Sequence, residues 1–275
     1  MERRVVRRSQ AYFPAADGVR LFRRAWMPPS PRVALAVVHG FAEHSGRYDH
    51  VGAWFSTRDF AVPAVAHRGH ERSDCVRGHV ESFGQLLDDL EAFLDVVRRE
   101  HPELSVVLLG HSMGGLLTAS LLAERKPDLL GAVVIGPPLE LGSGVSRLRL
   151  PMPRALRRPA PRLRLRAGPD ARDRSRDPEV VKAYEGDPLV FKRASASLAA
   201  ELLDAVGRTG QAGMHVQIPT LLMHGEADRI CPPRGTRIFH SQLRGPGPRL
   251  RVYPKLRHEI LIEPEQEQVF EDGLA

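Results

Sequence analysis

Short, nearly continuous apolar runs recur along this chain, and glycine or proline closes almost every one. "RVALAVVHG" (32–40), "FAVPAVA" (60–66) and "LSVVLLG" (104–110) come first; "GAVVIG" (131–136), "IPTLLMHG" (218–225) and "PRLRVYP" (248–254) follow. A run without apolar/polar alternation suits a strand buried on both faces, the situation of a parallel sheet covered by helices. Between the second and third runs, Phe83, Leu86, Leu87, Leu90, Phe93, Leu94 and Val97 follow helical spacing, Ser82 and Gln85 form a capping box, and Pro102 lies beyond the end. Strand, helix and strand in that order make a βαβ unit. The chain therefore reads as α/β, with a mainly parallel central sheet and helices on both faces. Its 275 residues fit one large domain.

Residues 137–215 interrupt the alternation. They are too long for a strand connection and contain helix-like segments at Pro178–Tyr184 and Ala194–Val206, so they read as a cap inserted into a core of 1–136 and 216–275. The formal charge of +7 is concentrated here: eleven arginines against Asp170 and Asp173 lie between Arg147 and Arg176. No aromatic residues interleave them for base stacking, which argues against nucleic acid. Two readings stay open: a solvated, mobile lid, or a surface on which arginines such as those of Arg147-Leu148-Arg149-Leu150 and Arg162-Leu163-Arg164-Leu165-Arg166 meet anionic lipid. No apolar run is long enough to cross a bilayer, and "MERRVVRRSQAYFP" has no apolar stretch of the kind a secretory signal needs. The expectation is a soluble cytoplasmic protein, with peripheral membrane contact as its extension. Cys75 and Cys231 are in no metal-like or redox-like spacing and read as small buried hydrophobes. His67 and His70 lack a third ligand in recognisable spacing, so neither a metal nor another cofactor is expected.

Chemistry is concentrated in "LLGHSMGG" (108–115). Gly110-His111-Ser112-Met113-Gly114 follows a strand directly and opens a helix-like stretch, the setting in which a strained turn lifts a serine hydroxyl clear of the backbone. A serine needs a base, and the base needs an orienting carboxylate. Asp228 in "HGEADRI" and His258 in "YPKLRHEI" both follow strands, at the carboxyl ends where open α/β sheets bind ligands. Ser112 is thus the expected nucleophile, His258 the base and Asp228 its partner. The amides of Met113 and of Phe41, in "HGFAEHSGRY" (39–48), are the expected oxyanion donors.

These segments, with "SRDPEVVKAYEGDPLV", "PTLLMHGEADRICPP" and "YPKLRHEILIEPE", resemble the α/β-hydrolase superfamily, and within it the monoacylglycerol lipase and lysophospholipase group. The opening "DGVRLFRRAWMP" is similar to that group's first hairpin, so the likeness covers nearly the whole chain. It implies an α/β-hydrolase fold and a cofactor-free serine esterase that acts on a small lipid ester, with the acyl chain under the cap. From the group's substrate pocket it also implies contacts around the glycerol head by Tyr184, His111, Glu43 and Arg47; Glu43 and Arg47 read equally as a loop ion pair. The group's D-x-x-G-H-G-x-S segment appears here with Ala66 for the aspartate and Glu71 for the second glycine. An unbalanced Glu71 at a glycine position implies lost stability or an altered loop. The ending "FEDGLA" stops short of the group's usual last helix, which implies a frayed end. A lysophospholipase, general esterase or acyltransferase would use the same parts, and a non-catalytic lipid-binding or membrane-surface protein would keep the fold without turnover.

Overall fold

The computed structural model describes residues 5–140, 151–166 and 168–274. Arg147, Leu148, Arg149 and Leu150 of the arginine-rich run lie outside the described residues, as does Ala275. Along the chain run β1 (Arg7–Pro14), β2 (Arg20–Met27), β3 (Val33–Val38), α1 (Asp49–Ser56), β4 (Phe60–Val65), α2 (Phe83–Glu100), β5 (Ser105–His111), α3 (Met113–Glu124) and β6 (Gly131–Ile135). Then come α4 (Pro151–Leu156), β7 (Arg164–Arg166), α5 (Pro178–Gly186), β8 (Arg193–Ser195) and α6 (Ala196–Thr209), and finally β9 (Thr220–Gly225), α7 (Pro233–Gln242), β10 (Arg249–Tyr253) and α8 (Gln266–Leu274).

Eight strands form one sheet in the order β1-β2-β4-β3-β5-β6-β9-β10. The β1-β2 and β2-β4 pairings are antiparallel; every pairing from β4 through β10 is parallel. The unalternating apolar runs have a physical cause here, because successive side chains enter two different cores. Ala34, Ala36, Val38, Val106, Leu108 and Val134 face α2 and α3, whereas Leu35, Val37, Leu109, Val133 and Ile135 face α1 and α8. Register then aligns the strand ends: Val38 lies opposite Gly110, and His111 opposite Ile135. The loops after β3, β5, β6, β9 and β10 therefore open at one edge of the sheet, where the candidate residues are.

Several local expectations need correction. The α2 cap is wider than a capping box: Ser82 accepts from the Gln85 amide, but the Gln85 side chain accepts from the Glu81 amide. Ala194 belongs to β8, which pairs with β7, and the helix starts only at Ala196. Cys75 is exposed, in a tight loop with φ +88°, while Cys231 is buried. The C-terminal segment is not frayed through Leu274, because α8 buries Val269 and Phe270 and sets the Phe270 ring against Trp54 and Phe55. Among the described residues no helix is long and apolar enough to cross a membrane.

Candidate active site

Ser112 sits between β5 and α3 with φ +54° and ψ −118°, a conformation that costs a non-glycine residue about 1–3 kcal/mol. Its amide donates to the Ile135 carbonyl and its carbonyl accepts from Leu116, so backbone bonds on both sides hold the turn. The flanking glycines are required by space. A Cβ on Gly110 would lie 2.3 Å from the Gly114 carbonyl oxygen, and one on Gly114 would lie 2.1 Å from that of Val38.

The structure brings Ser112, His258 and Asp228 into one chain of hydrogen bonds. His258 Nε2 is 2.9 Å from Ser112 Oγ, and His258 Nδ1 is 2.7 Å from Asp228 Oδ2. A carboxylate only accepts, so Nδ1 carries the hydrogen and Nε2 is left to accept from the serine hydroxyl. Asp228 Oδ1 accepts from the amides of Ile230 and Cys231 at 2.8 and 2.9 Å. Burial by itself would raise the Asp228 carboxyl, but the facing charge of His258 and hydrogen bonds from His224 and His258 outweigh it and hold the group far below the ordinary carboxylate range. Burial draws His258 below its ordinary value, and Asp228 opposes that shift without cancelling it. Asp228, Cys231 and His258 also place possible metal-binding atoms within 4.8 Å of one another. The carboxylate is already occupied by N–H donors, and burial, with Asp228 beside it, holds the Cys231 thiol protonated, so this trio belongs to the hydrogen-bond chain.

Met113 follows the serine directly, and Phe41 lies in the loop after β3. Met113 is the first residue of α3, and no acceptor takes either amide among the described residues. The loop after β3 runs close to the elbow: a Cβ on Gly40 would be 3.1 Å from Ser112 Cβ. Three buried imidazoles hold this loop, because His39 from the end of β3 joins the His67 and His70 seen in sequence. His39 Nε2 accepts from the His67 amide and His67 Nε2 donates to the His39 carbonyl. His70 Nδ1 donates to the Arg68 carbonyl, and its Nε2 accepts from the Ala42 amide at 3.4 Å. Burial lowers all three, His67 to about 4 and His70 to about 3.

The expectation of an unbalanced Glu71 is overturned. Its φ is +49°, as a glycine position suggests, but its buried carboxylate accepts from the Arg24 guanidinium and from the Ser45 hydroxyl and amide, the latter two at 2.6 and 3.1 Å. The residue that departs from the group's pattern thus ties β2 to the end of the loop after β3.

Glu43, Arg47 and His111 lie behind that loop. Glu43 Oε1 accepts from the Gly40 amide at 2.6 Å and the Tyr48 hydroxyl at 2.9 Å, and Oε2 accepts from Arg47 at 2.6 Å. Tyr48 also meets His111 Nδ1 at 3.0 Å, and His111 Nε2 donates to the His258 carbonyl at 3.3 Å. Arg47 donates twice to Glu259, beside His258, and Arg174 of the insertion donates to the same carboxylate at 2.9 Å. Burial would raise Glu259, but Arg47 and then Arg174 overcome it and bring the carboxyl to about 2. Tyr184 packs its ring under both guanidinium groups, 3.9 Å from Arg174 and 4.8 Å from Arg47. Sequence reasoning missed His39, Tyr48, Arg174, His224 and Glu259. Only His224 leaves a local signal, four residues before Asp228 in "HGEAD".

A mainly parallel sheet, a strained serine between strand and helix, and a histidine and aspartate delivered by later strand ends define a serine hydrolase of the α/β-hydrolase class. The chain belongs to the Hydrolase_4 family, serine aminopeptidase S33, whose profile matches residues 29–265. It is 34% identical over 267 residues to the monoacylglycerol lipase of Mycolicibacterium smegmatis, covering 96% of this chain and 95% of that protein. It is 33% identical to the Homo sapiens monoglyceride lipase, over 89% of this chain and 82% of the relative. The crystal structure of Paleococcus ferrophilus monoacylglycerol lipase superimposes with a TM-score of 0.81 at 28% identity, covering 98% of this chain and 97% of that one. The chain is accordingly a monoacylglycerol lipase-like, ester-hydrolysing enzyme.

Proposed function

We propose that this enzyme releases a fatty acid from monoacylglycerol through an acyl-enzyme on Ser112. The observation that carries the reading is the unbroken run of contacts from Ser112 Oγ through both His258 nitrogens to Asp228, at 2.9 and 2.7 Å. His258 Nε2 takes the hydroxyl proton as Ser112 Oγ bonds to the ester carbon, and the amides of Phe41 and Met113 hold the resulting oxyanion. Collapse breaks the bond to the glycerol oxygen, which leaves with the proton from Nε2. Water then repeats the sequence on the acyl-enzyme and releases the fatty acid. Glu43, Arg47 and His111 serve as a frame behind the oxyanion loop, since their polar atoms are occupied by protein partners.

Labelling by a fluorophosphonate probe, together with hydrolysis of a monoacylglycerol, a lysophospholipid and a short p-nitrophenyl ester, tests the reading. Ser112→Ala abolishes labelling and lowers kcat by about 10⁶. Labelling or turnover that survives this change in a clean preparation removes the serine mechanism, and a preference for the lysophospholipid replaces the substrate.

We also read 137–215 as a cap on the core of 1–136 and 216–275, supported by Phe191 against the Phe41 ring at 5.5 Å and by Tyr184 beside Arg47. Arginines of the cap that are not held by carboxylates then face an anionic membrane where substrate concentrates. Arg162 is only loosely held, with a side chain 71% exposed beside an exposed Leu163 and a single long contact of 3.7 Å to the exposed Glu81 carboxylate. Arg164 does not share that freedom, because it donates to the carbonyls of Arg77 and Arg193. Each free cation contributes at most about 1 kcal/mol near such a surface, screened by salt. The protein therefore sediments with phosphatidylglycerol vesicles at low salt and less so after Arg162→Gln with Arg166→Gln, while short-ester hydrolysis holds. Equal binding to phosphatidylcholine vesicles, or to neither, leaves these arginines as solvated surface.

A further inference from the structure

His224 occupies the carboxyl end of β9, wholly buried, four residues before Asp228. Its Nε2 faces two atoms that only accept, Asp228 Oδ2 at 3.1 Å and the Cys231 carbonyl at 2.9 Å, so Nε2 carries the hydrogen. Its Nδ1 is 2.8 Å from the Thr236 hydroxyl of α7, which rotates to donate. The Asp228 oxygen that receives the His258 Nδ1–H thus receives a second imidazole N–H from the other side. We propose that His224 is a positioning residue that, through Asp228, sets the pH above which His258 accepts the Ser112 proton; this rests on the triad reading above.

The argument is electrostatic. A hydrogen bond donated to a carboxylate stabilises its charge and weakens it as a partner for the next donor. With His224 in place, Asp228 holds a protonated His258 less firmly, and the imidazole stays free to act as base at lower pH. The other groups around His258 push in fixed directions: His111, with ring centroids 4.9 Å apart, and Arg174 both disfavour its charged form, and the Cys231 thiol adds no charge. Glu259 is neutralised by Arg47 and Arg174. Around Asp228, the remaining donors are the amides of Ile230 and Cys231, which substitution at 224 leaves in place. His224 is therefore the side chain through which the acid limb is adjustable from the Asp228 side.

The test compares kcat/KM against pH for a short p-nitrophenyl ester, and the rate of fluorophosphonate labelling of Ser112 against pH, in the full chain. His224→Leu removes the donor and moves the acid limb upward by about 0.5 to 1 pH unit in both readouts. His224→Gln, whose amide N–H can reach the same oxygen, brings the limb back to within about 0.2 unit of wild type. Thr236→Val keeps His224 but strips the hydroxyl that polarises it, and shifts the limb upward by about 0.3 unit. An acid limb unmoved in His224→Leu overturns the proposal. Where that variant does not fold, an unmoved limb in Thr236→Val does so. A wild-type protein that takes no probe at Ser112 defeats the triad reading instead, and the two failures are distinct.

Discussion

The loop after β3 and the insertion between β6 and β9 meet where Phe191 packs on the Phe41 ring and donates to the Ala42 carbonyl, yet each is tied down by a different balance of contacts. Around the loop, His39, His67 and His70 are buried imidazoles that exchange hydrogen bonds with backbone amides and carbonyls. The insertion reaches the core through Arg174 on Glu259 and Arg176 on Glu263 and Glu265, beside buried apolar side chains such as Leu198 and Val206, while Arg154 and Arg157 pair within it with Asp204 and Glu201. The imidazoles' uncharged, short-range bonds ignore salt, and the buried Glu43 and Glu71 carboxylates add to them on the same loop. Charge pairs act over a longer range, and a surface pair such as Arg154–Asp204 contributes little and gives way to salt. Glu259 is where the two regimes join, since one carboxylate takes both Arg47 beside the loop and Arg174 from the insertion.

The largest break in this contrast comes from the fixed side. Asp228→Asn keeps the side chain's shape but can donate where His258 and His224 need an acceptor, so kcat falls by about 10⁴ and the fold loses stability with the buried carboxylate. Steady-state kinetics alongside urea unfolding checks this, and a loss of less than tenfold removes Asp228 from the reaction. Next is the junction. Glu259→Ala leaves Arg47 and Arg174 buried without their shared partner and destabilises the fold by about 3–5 kcal/mol. Replacing Arg174 and Glu259 together by Met and Leu recovers much of that loss, because the apolar pair needs no solvation. If the double variant is no more stable than Glu259→Ala in urea, the cluster is more than a clamp.

The smallest effect sharpens the contrast through pH. His67 and His70 lie lower in the folded state, at about 4 and about 3, than the ordinary value near 6.5 that they take when unfolded. Between those values the unfolded chain binds more protons, so stability present above pH 6.5 is lost as pH falls. At pH 5 each such histidine costs about 2 kcal/mol. Carboxylates contribute little in this window because their values, Glu259's at about 2 included, lie lower. Unfolding free energies at pH 7 and pH 5 measure the slope, and His70→Asn reduces it; an unchanged slope in that variant moves the acid sensitivity elsewhere.

What could be read from the sequence was whatever repeats locally. The apolar runs without alternation announced strands covered on both faces, and the order strand, glycine, serine, glycine, helix announced the turn at Ser112. Asp228 and His258 were legible because each follows a strand, and parallel strands bring their carboxyl ends to one edge whatever their distance in sequence. Tertiary structure alone decided the partners. Nothing near Glu71 says that Arg24 and Ser45 will satisfy it, and nothing near His67 says that His39 will complete the cluster; the parallel pairing of β3 and β4 does that. Glu259 meets Arg47 from 212 positions away and Arg174 from 85. Periodicity and caps are properties of neighbours along the chain and survive in a string of letters. The pairing of buried charges depends on which side chains lose water together, and that is settled only when the sheet, its loops and the insertion have closed on one another.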